Sequence, residues 1–196
     1  MKHYKFFKTS LQIAFTIVLS SMIYSCLNSK KEEVVIELPA EKNEAKIADM
    51  HKEADAQFLV NATQISLAQI KLGNLAQQLG SSKTIRDLGK MTQTEHTQSL
   101  AEVTELAKSK TVTIPTTLTF DGEAAFNALN TKSSKDFDKA YSDMMINSHQ
   151  NAIALFEKTC NDSKDTDIRE WATKTLPTLK MHLAQAEQAQ KEANRK

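Results

Sequence analysis

The sequence predicts an all-α domain: a four-helix bundle built from two antiparallel hairpins. Three observations lead there. Glycine and proline are scarce, at four and three residues in 196, while alanine, leucine, lysine, glutamine and glutamate abound; such a composition supports long helices over turn-rich sheet. Apolar residues recur at helical spacing over four stretches, each long enough for roughly seven turns or more. The connections between those stretches run short, long, short.

The chain opens with Lys2, Lys5 and Lys8 ahead of an apolar run over residues 11–24, which is short for a bilayer span and ends in small or polar residues. This is the layout of a secretory signal. Ile23-Tyr24-Ser25-Cys26 resembles the lipobox of bacterial lipoproteins, which implies that Cys26 becomes the acylated first residue of the mature chain; a plain secretory signal with an incidental cysteine is the other reading. Residues 1–25 are then the signal peptide, 26–43 a tether and 44–194 the helical domain. The protein is expected in the cell envelope, tethered to a membrane by its N-terminal lipid, periplasmic or surface-exposed. Lys30-Lys31-Glu32-Glu33 resembles the surface-export signal of some lipoproteins, or serves as a solvated spacer.

Removing the signal takes away three lysines and no acid, moving the formal charge from +1 to −2. A near-neutral domain lacks the basic face that binding phosphate backbones requires, so nucleic acid is excluded as a partner. With Cys26 lipidated, Cys160 has no cysteine partner; it is read as a small buried hydrophobe or a soft metal ligand.

The first helix is expected over residues 43–79, with Ile47, His51, Ala54, Phe58, Ala62, Ile65, Leu72, Ala76 and Leu79 on its inner face. Gly80 stops it and Ser81-Ser82 caps the next, so the second helix, residues 83–109, must fold back antiparallel. Residues 110–132 interrupt the pattern with Pro115 and β-branched residues; Asp121 is expected to cap one short helix over 123–129. A connection this long can run the length of the bundle and leave the second and third long helices parallel. The third spans 134–161; a polar turn follows, and the fourth spans 166–194, with Pro177 expected to bend it. Two long hairpins joined by one crossover is the connectivity of ferritin-like four-helix bundles.

Three histidines stand on otherwise apolar inner faces. His96, His149 and His182 lie about thirteen, fifteen and sixteen residues into their helices, so all three fall at mid-bundle height. Gln69 reaches the same level from the first helix. An unpartnered buried polar group costs about 1 to 3 kcal/mol; the four must satisfy one another, bind water, or bind a ligand. Three imidazoles with Met145, one turn before His149, suit copper, and three imidazoles with a water suit zinc. Met91 and Met144 are further soft candidates. A di-iron centre is excluded, because it needs two Glu-x-x-His pairs and the positions three before the histidines are Gln93, Ile146 and Leu179. Glu95 points about a hundred degrees from His96 and reads as a rim group; His51 sits too far along its helix to join. No phosphate loop, nucleophile elbow or Cys-x-x-Cys site is present, which argues against an enzyme.

The order and separation of Asp55-Ala56-Gln57-Phe58, Leu72-Gly73-Asn74-Leu75-Ala76, Glu95-His96, Phe137-Asp138, Tyr141, Met144-Met145 through His149, Trp171-Ala172 and Leu176-Pro177 through His182-Leu183 resemble the family known as domain of unknown function 4142, an envelope-associated group. The resemblance implies a ferritin-like fold and the three histidine positions, and no established activity. An acidic residue is usual in that family where this chain has Gln69, and aspartate where it has Glu95. A related uncharacterised family with Met and His on bundle helices points by analogy to soft or imidazole-loving metals. Two readings follow: a lipid-anchored bundle binding one transition metal in a stress or metal-handling role, or a non-catalytic envelope module whose polar layer is metal-free.

Overall fold

The computed structural model describes residues 40–195, so the expected signal peptide, Cys26 and most of the expected tether lie outside the described residues. Five helices run through them: α1 (Ala40–Leu79), α2 (Lys83–Ser109), α3 (Phe120–Asn130), α4 (Ser134–Asp162) and α5 (Thr166–Ala193). The hairpins α1/α2 and α4/α5 pack on each other, with α2 against α5 and α1 against α4. The first hairpin turn is sterically set, and both second helices are capped. Gly80 does not adopt a left-handed conformation; a Cβ there would lie 2.5 Å from the Ala76 carbonyl and 2.8 Å from Ile85. Ser82 caps α2 by accepting from the Ile85 N–H, and Asp165 caps α5 by accepting from Asp167 and Ile168.

The crossover runs as expected. Asp138, at the start of α4, accepts from the Ser81 N–H at 2.7 Å, the Ser81 hydroxyl at 2.6 Å and the Ser82 N–H at 3.0 Å, which places the first turns of α2 and α4 side by side and their axes parallel. At the opposite end Lys110 closes α2 onto the start of α5 through Asp165 and Asp167. The crossover itself is held to α1 by Gln64, which donates to the Thr117 carbonyl and accepts from the Thr119 N–H, and by Lys71 with Glu123.

Two expectations are corrected. The cap of the short helix is Thr119, whose hydroxyl accepts from the Gly122 N–H; α3 therefore starts at Phe120, and Asp121 lies in its first turn. The inner face of α1 begins at Phe58: Ile47 is 54% exposed and Ala54 is also exposed. The reason is length, since α1 has 40 residues and its neighbours 27 to 29, so its first turns project beyond the bundle. In α5, Pro177 lies inside the helix, and the Thr173 carbonyl left without its helical donor is on an exposed turn.

The core falls into two clusters. One gathers Phe58, Phe156, Ile168 and Trp171, with Phe58 and Phe156 edge to face at 5.0 Å. The other gathers Leu72, Ile85, Leu88, Phe137, Tyr141 and Met145. Gly73 lets α1 and α2 approach closely there, since a Cβ would sit 2.5 Å from the Gly89 carbonyl oxygen. On α4 the first cluster begins at Ala152 and the second ends at Met145; on α5 the break lies between Leu179 and Ala186. His149 and His182 occupy those breaks, so a polar layer separates two apolar cores.

Asp138→Ala removes an anionic acceptor from the α2 N-terminus and strands two N–H groups; it is expected to cost about 2 to 4 kcal/mol and to lower Tm on the order of 5 to 15 °C by calorimetry. An unchanged Tm would show that this tie does not hold the hairpins in register.

Candidate metal centre

His96, His149 and His182 project into the layer from α2, α4 and α5 and are 3%, 1% and 0% exposed. Their ring centroids are 5.2 to 5.8 Å apart. Each offers one ring nitrogen, and the three nitrogens lie within 4.8 Å of one another, as the common height of the histidines led us to expect.

Partners decide which nitrogen of each ring carries a proton. His149 Nδ1 stands 2.8 Å from the Met145 carbonyl, which can only accept, so Nδ1 carries the proton and Nε2 a lone pair. His182 Nε2 lies 3.0 Å from Glu95 Oε2; donating to that carboxylate leaves a lone pair on His182 Nδ1. Those two bare nitrogens, His149 Nε2 and His182 Nδ1, face each other at 3.3 Å. His96 adds a third ring, neither of whose nitrogens has a hydrogen-bond partner in the protein.

Burial keeps these rings neutral. It pulls His149 and His182 down from 6.5 to about 4, in His149 against the bond to the Met145 carbonyl and with a contribution from the His182 charge. His96 is held well below the ordinary histidine value by burial first and then by repulsion from the other two rings. With the Glu95 carboxylate ionised, a proton shared between His149 and His182 would make a buried imidazolium, which burial opposes. A cation between them is different: nitrogens bound to one tetrahedral ion at about 2.0 to 2.1 Å stand roughly 3.3 to 3.4 Å apart, close to the separation here.

The remaining expected residues fall around this core. Gln69 is 2% exposed; its Nε2 donates to the Ser148 hydroxyl at 2.9 Å, and its Oε1 is buried with no partner. Met145 serves the layer through its carbonyl and is itself fully buried in the second apolar cluster, where Met91 and Met144 also pack. Cys160 lies eleven residues beyond His149, about three turns away, where its sulfur accepts from the Thr173 hydroxyl. His51 lines a groove at the projecting end of α1.

Glu95 requires a correction. Its carboxylate, 35% exposed, reaches past the helix rim to His182 on the neighbouring helix, and burial raises its pKa. A helical wheel places the Cβ, not the carboxylate two bonds further out, and the distance to α5 is invisible in it. The signal available was the Glu95-His96 pair itself within the family resemblance. Ser148, the partner of Gln69, was missed for the same reason.

A family model described as domain of unknown function (DUF4142) matches residues 40–189. Among solved structures, a DUF305 fragment from Deinococcus radiodurans superposes with a TM-score of 0.63, covering 71% of this chain and 96% of that one at 14% identity, a likeness of fold alone. No curated protein matches the chain.

Between about pH 6.5 and 4 the unfolded chain takes up protons on these histidines that the folded chain refuses, so stability is full above about 6.5 and falls as the pH drops towards 4. Urea midpoints of chelator-treated protein are expected to decline across that window. A midpoint that stays flat contradicts the neutral, buried rings.

Proposed function

The chain belongs to the DUF4142 family, and we propose that it binds one transition-metal ion, zinc or copper, through His96, His149 and His182, as a lipid-anchored protein of the bacterial envelope. One observation carries the metal: two buried imidazole nitrogens, both left bare by the tautomers that the Met145 carbonyl and the Glu95 carboxylate favour, stand 3.3 Å apart beside a third histidine with no hydrogen-bond partner in the protein. Neutral imidazoles are ligands of zinc and copper, and a closed nitrogen-rich shell suits holding an ion. Gln69 Oε1 is the fourth donor this layer offers, with Met145 the thioether alternative.

The outer shell supports the reading. Metal-bound histidines typically donate their second nitrogen to a carbonyl or carboxylate, which fixes the tautomer; His149 does so to Met145 and His182 to Glu95. The rings are sealed from solvent, no carboxylate pair accompanies them, and the site is therefore assigned to metal handling or an envelope stress role and not to turnover of an organic substrate. The envelope location rests on the signal layout and the lipobox-like Ile23-Tyr24-Ser25-Cys26.

Mature protein purified without a histidine tag, stripped and re-exposed to copper, zinc, iron and manganese, should retain about one equivalent of zinc or copper by elemental analysis. The combined variant His96→Ala, His149→Ala, His182→Ala should lose it with helicity kept. No retention, or unchanged affinity in that variant, rules the site out. For the anchor, Cys26→Ala should abolish incorporation of labelled fatty acid and release the protein from the membrane fraction; continued labelling would place the lipid elsewhere or exclude it.

A further inference from the structure

Because the three histidines are 0 to 3% exposed, an ion can reach them only through the bundle wall, and one part of that wall is indented and polar. Between α2 and α5 the surface sinks into a cleft of about 260 Å³. Its α2 side carries Glu95, Ser99 and Glu102, and its α5 side Lys174, Thr175 and Thr178. On α5, Thr175 and Thr178 stand two turns and one turn before His182, on its face of the helix. Glu95 closes the inner end: it lines the cleft and also touches His182 Nε2 at 3.0 Å. A continuous polar track thus joins solvent to a ligand of the candidate metal.

Two further features distinguish this wall. Pro177 lies within it, so the helix lacks the N–H that would bond the Thr173 carbonyl, and the segment between Thr173 and His182 is easier to open. The charges are also divided. Lys174 pairs with Glu102 at 3.2 Å, and the Trp171 indole donates to the same carboxylate, whereas Glu95 has no lysine or arginine partner among the described residues. The cavities beside the projecting end of α1 do not compete, because His51 and Asp55, which line them, precede Gln69 by 18 and 14 residues, about 20 Å or more along the helix.

We propose that this cleft is the port by which the metal ion loads and leaves, and that Glu95 is the carboxylate that receives a hydrated divalent cation from the cleft and passes it inward, past the His182 Nε2–H that it holds, to the bare Nδ1 on the far side of that ring. The inference rests on the histidine site proposed above. It assigns Glu95 a second task besides holding the tautomer of His182, and it makes exchange depend on residues that touch no ligand.

Loading and release of zinc(II), or of copper(II) if that is the ion retained, are followed by stopped flow against an excess of chelating dye, using the mature protein. Thr178→Trp fills the cleft and is expected to slow loading and release together by about tenfold, leaving Kd within about twofold, since a plug changes both rates and not the equilibrium. Lys174→Glu, on the surface and able to fold where a tryptophan is not tolerated, is expected to speed loading severalfold at low salt and to lose the effect at high salt. If the unaltered protein holds neither ion, the histidine site itself fails. If it holds one and Thr178→Trp exchanges at the unaltered rate, the port alone is overturned; where that variant does not fold, an unaltered loading rate in Lys174→Glu overturns it.

Discussion

Two imidazole lone pairs facing each other 3.3 Å apart inside a protein repel unless something positive lies between them, and the architecture around His149 and His182 keeps them in that position. The Met145 carbonyl holds the proton of His149 on the far nitrogen, and the Glu95 carboxylate does the same for His182. Neither ring can turn to relieve the contact without stranding the bond behind it. His96 then completes a triangle whose members are all kept neutral by burial. A low-dielectric layer with three convergent donors and no acceptor-donor closure of its own is poised for a cation.

The rest of the fold serves to bring those rings to one height. Asp138 ties the starts of α2 and α4, so that counting up each helix reaches His96 and His149 at a common level. Lys110 does the corresponding work at the other end, between α2 and α5. Gly73 lets α1 and α2 come close one turn from Gln69. The apolar clusters on either side supply most of the stabilisation and seal the rings from water. The same sealing that favours holding an ion makes access a problem, and the polar cleft ending at Glu95 is where the wall gives way.

Much of this could be read directly from residues. Periodicity placed His96, His149, His182 and Gln69 inside, and helix lengths placed them at one level, because burial direction and rise are properties of a single helix. What depended on two helices at once was harder. Glu95 was assigned to the rim because its Cβ points there, while its carboxylate crosses to α5. Ile47 and Ala54 follow the apolar stripe of α1 but stay exposed: Ile47 lies beside the Lys164-Asp165 turn, and Ala54 lines a groove with Leu155 and Lys158 of α4 that no side chain fills. The cap of α3 fell to Thr119 in place of Asp121, two residues apart, a choice settled by how the crossover docks on Gln64. The tautomers, which carry the chemical argument, exist only once the Met145 carbonyl and Glu95 have been placed.

The most direct test is anomalous diffraction from crystals of the protein loaded with zinc or copper. The account predicts a single strong peak at mid-bundle, about 2.0 to 2.1 Å from His149 Nε2, from His182 Nδ1 and from one nitrogen of His96. A peak elsewhere, or fully loaded crystals in which the His149–His182 contact holds no anomalous scatterer, would contradict it and leave the three rings as packing.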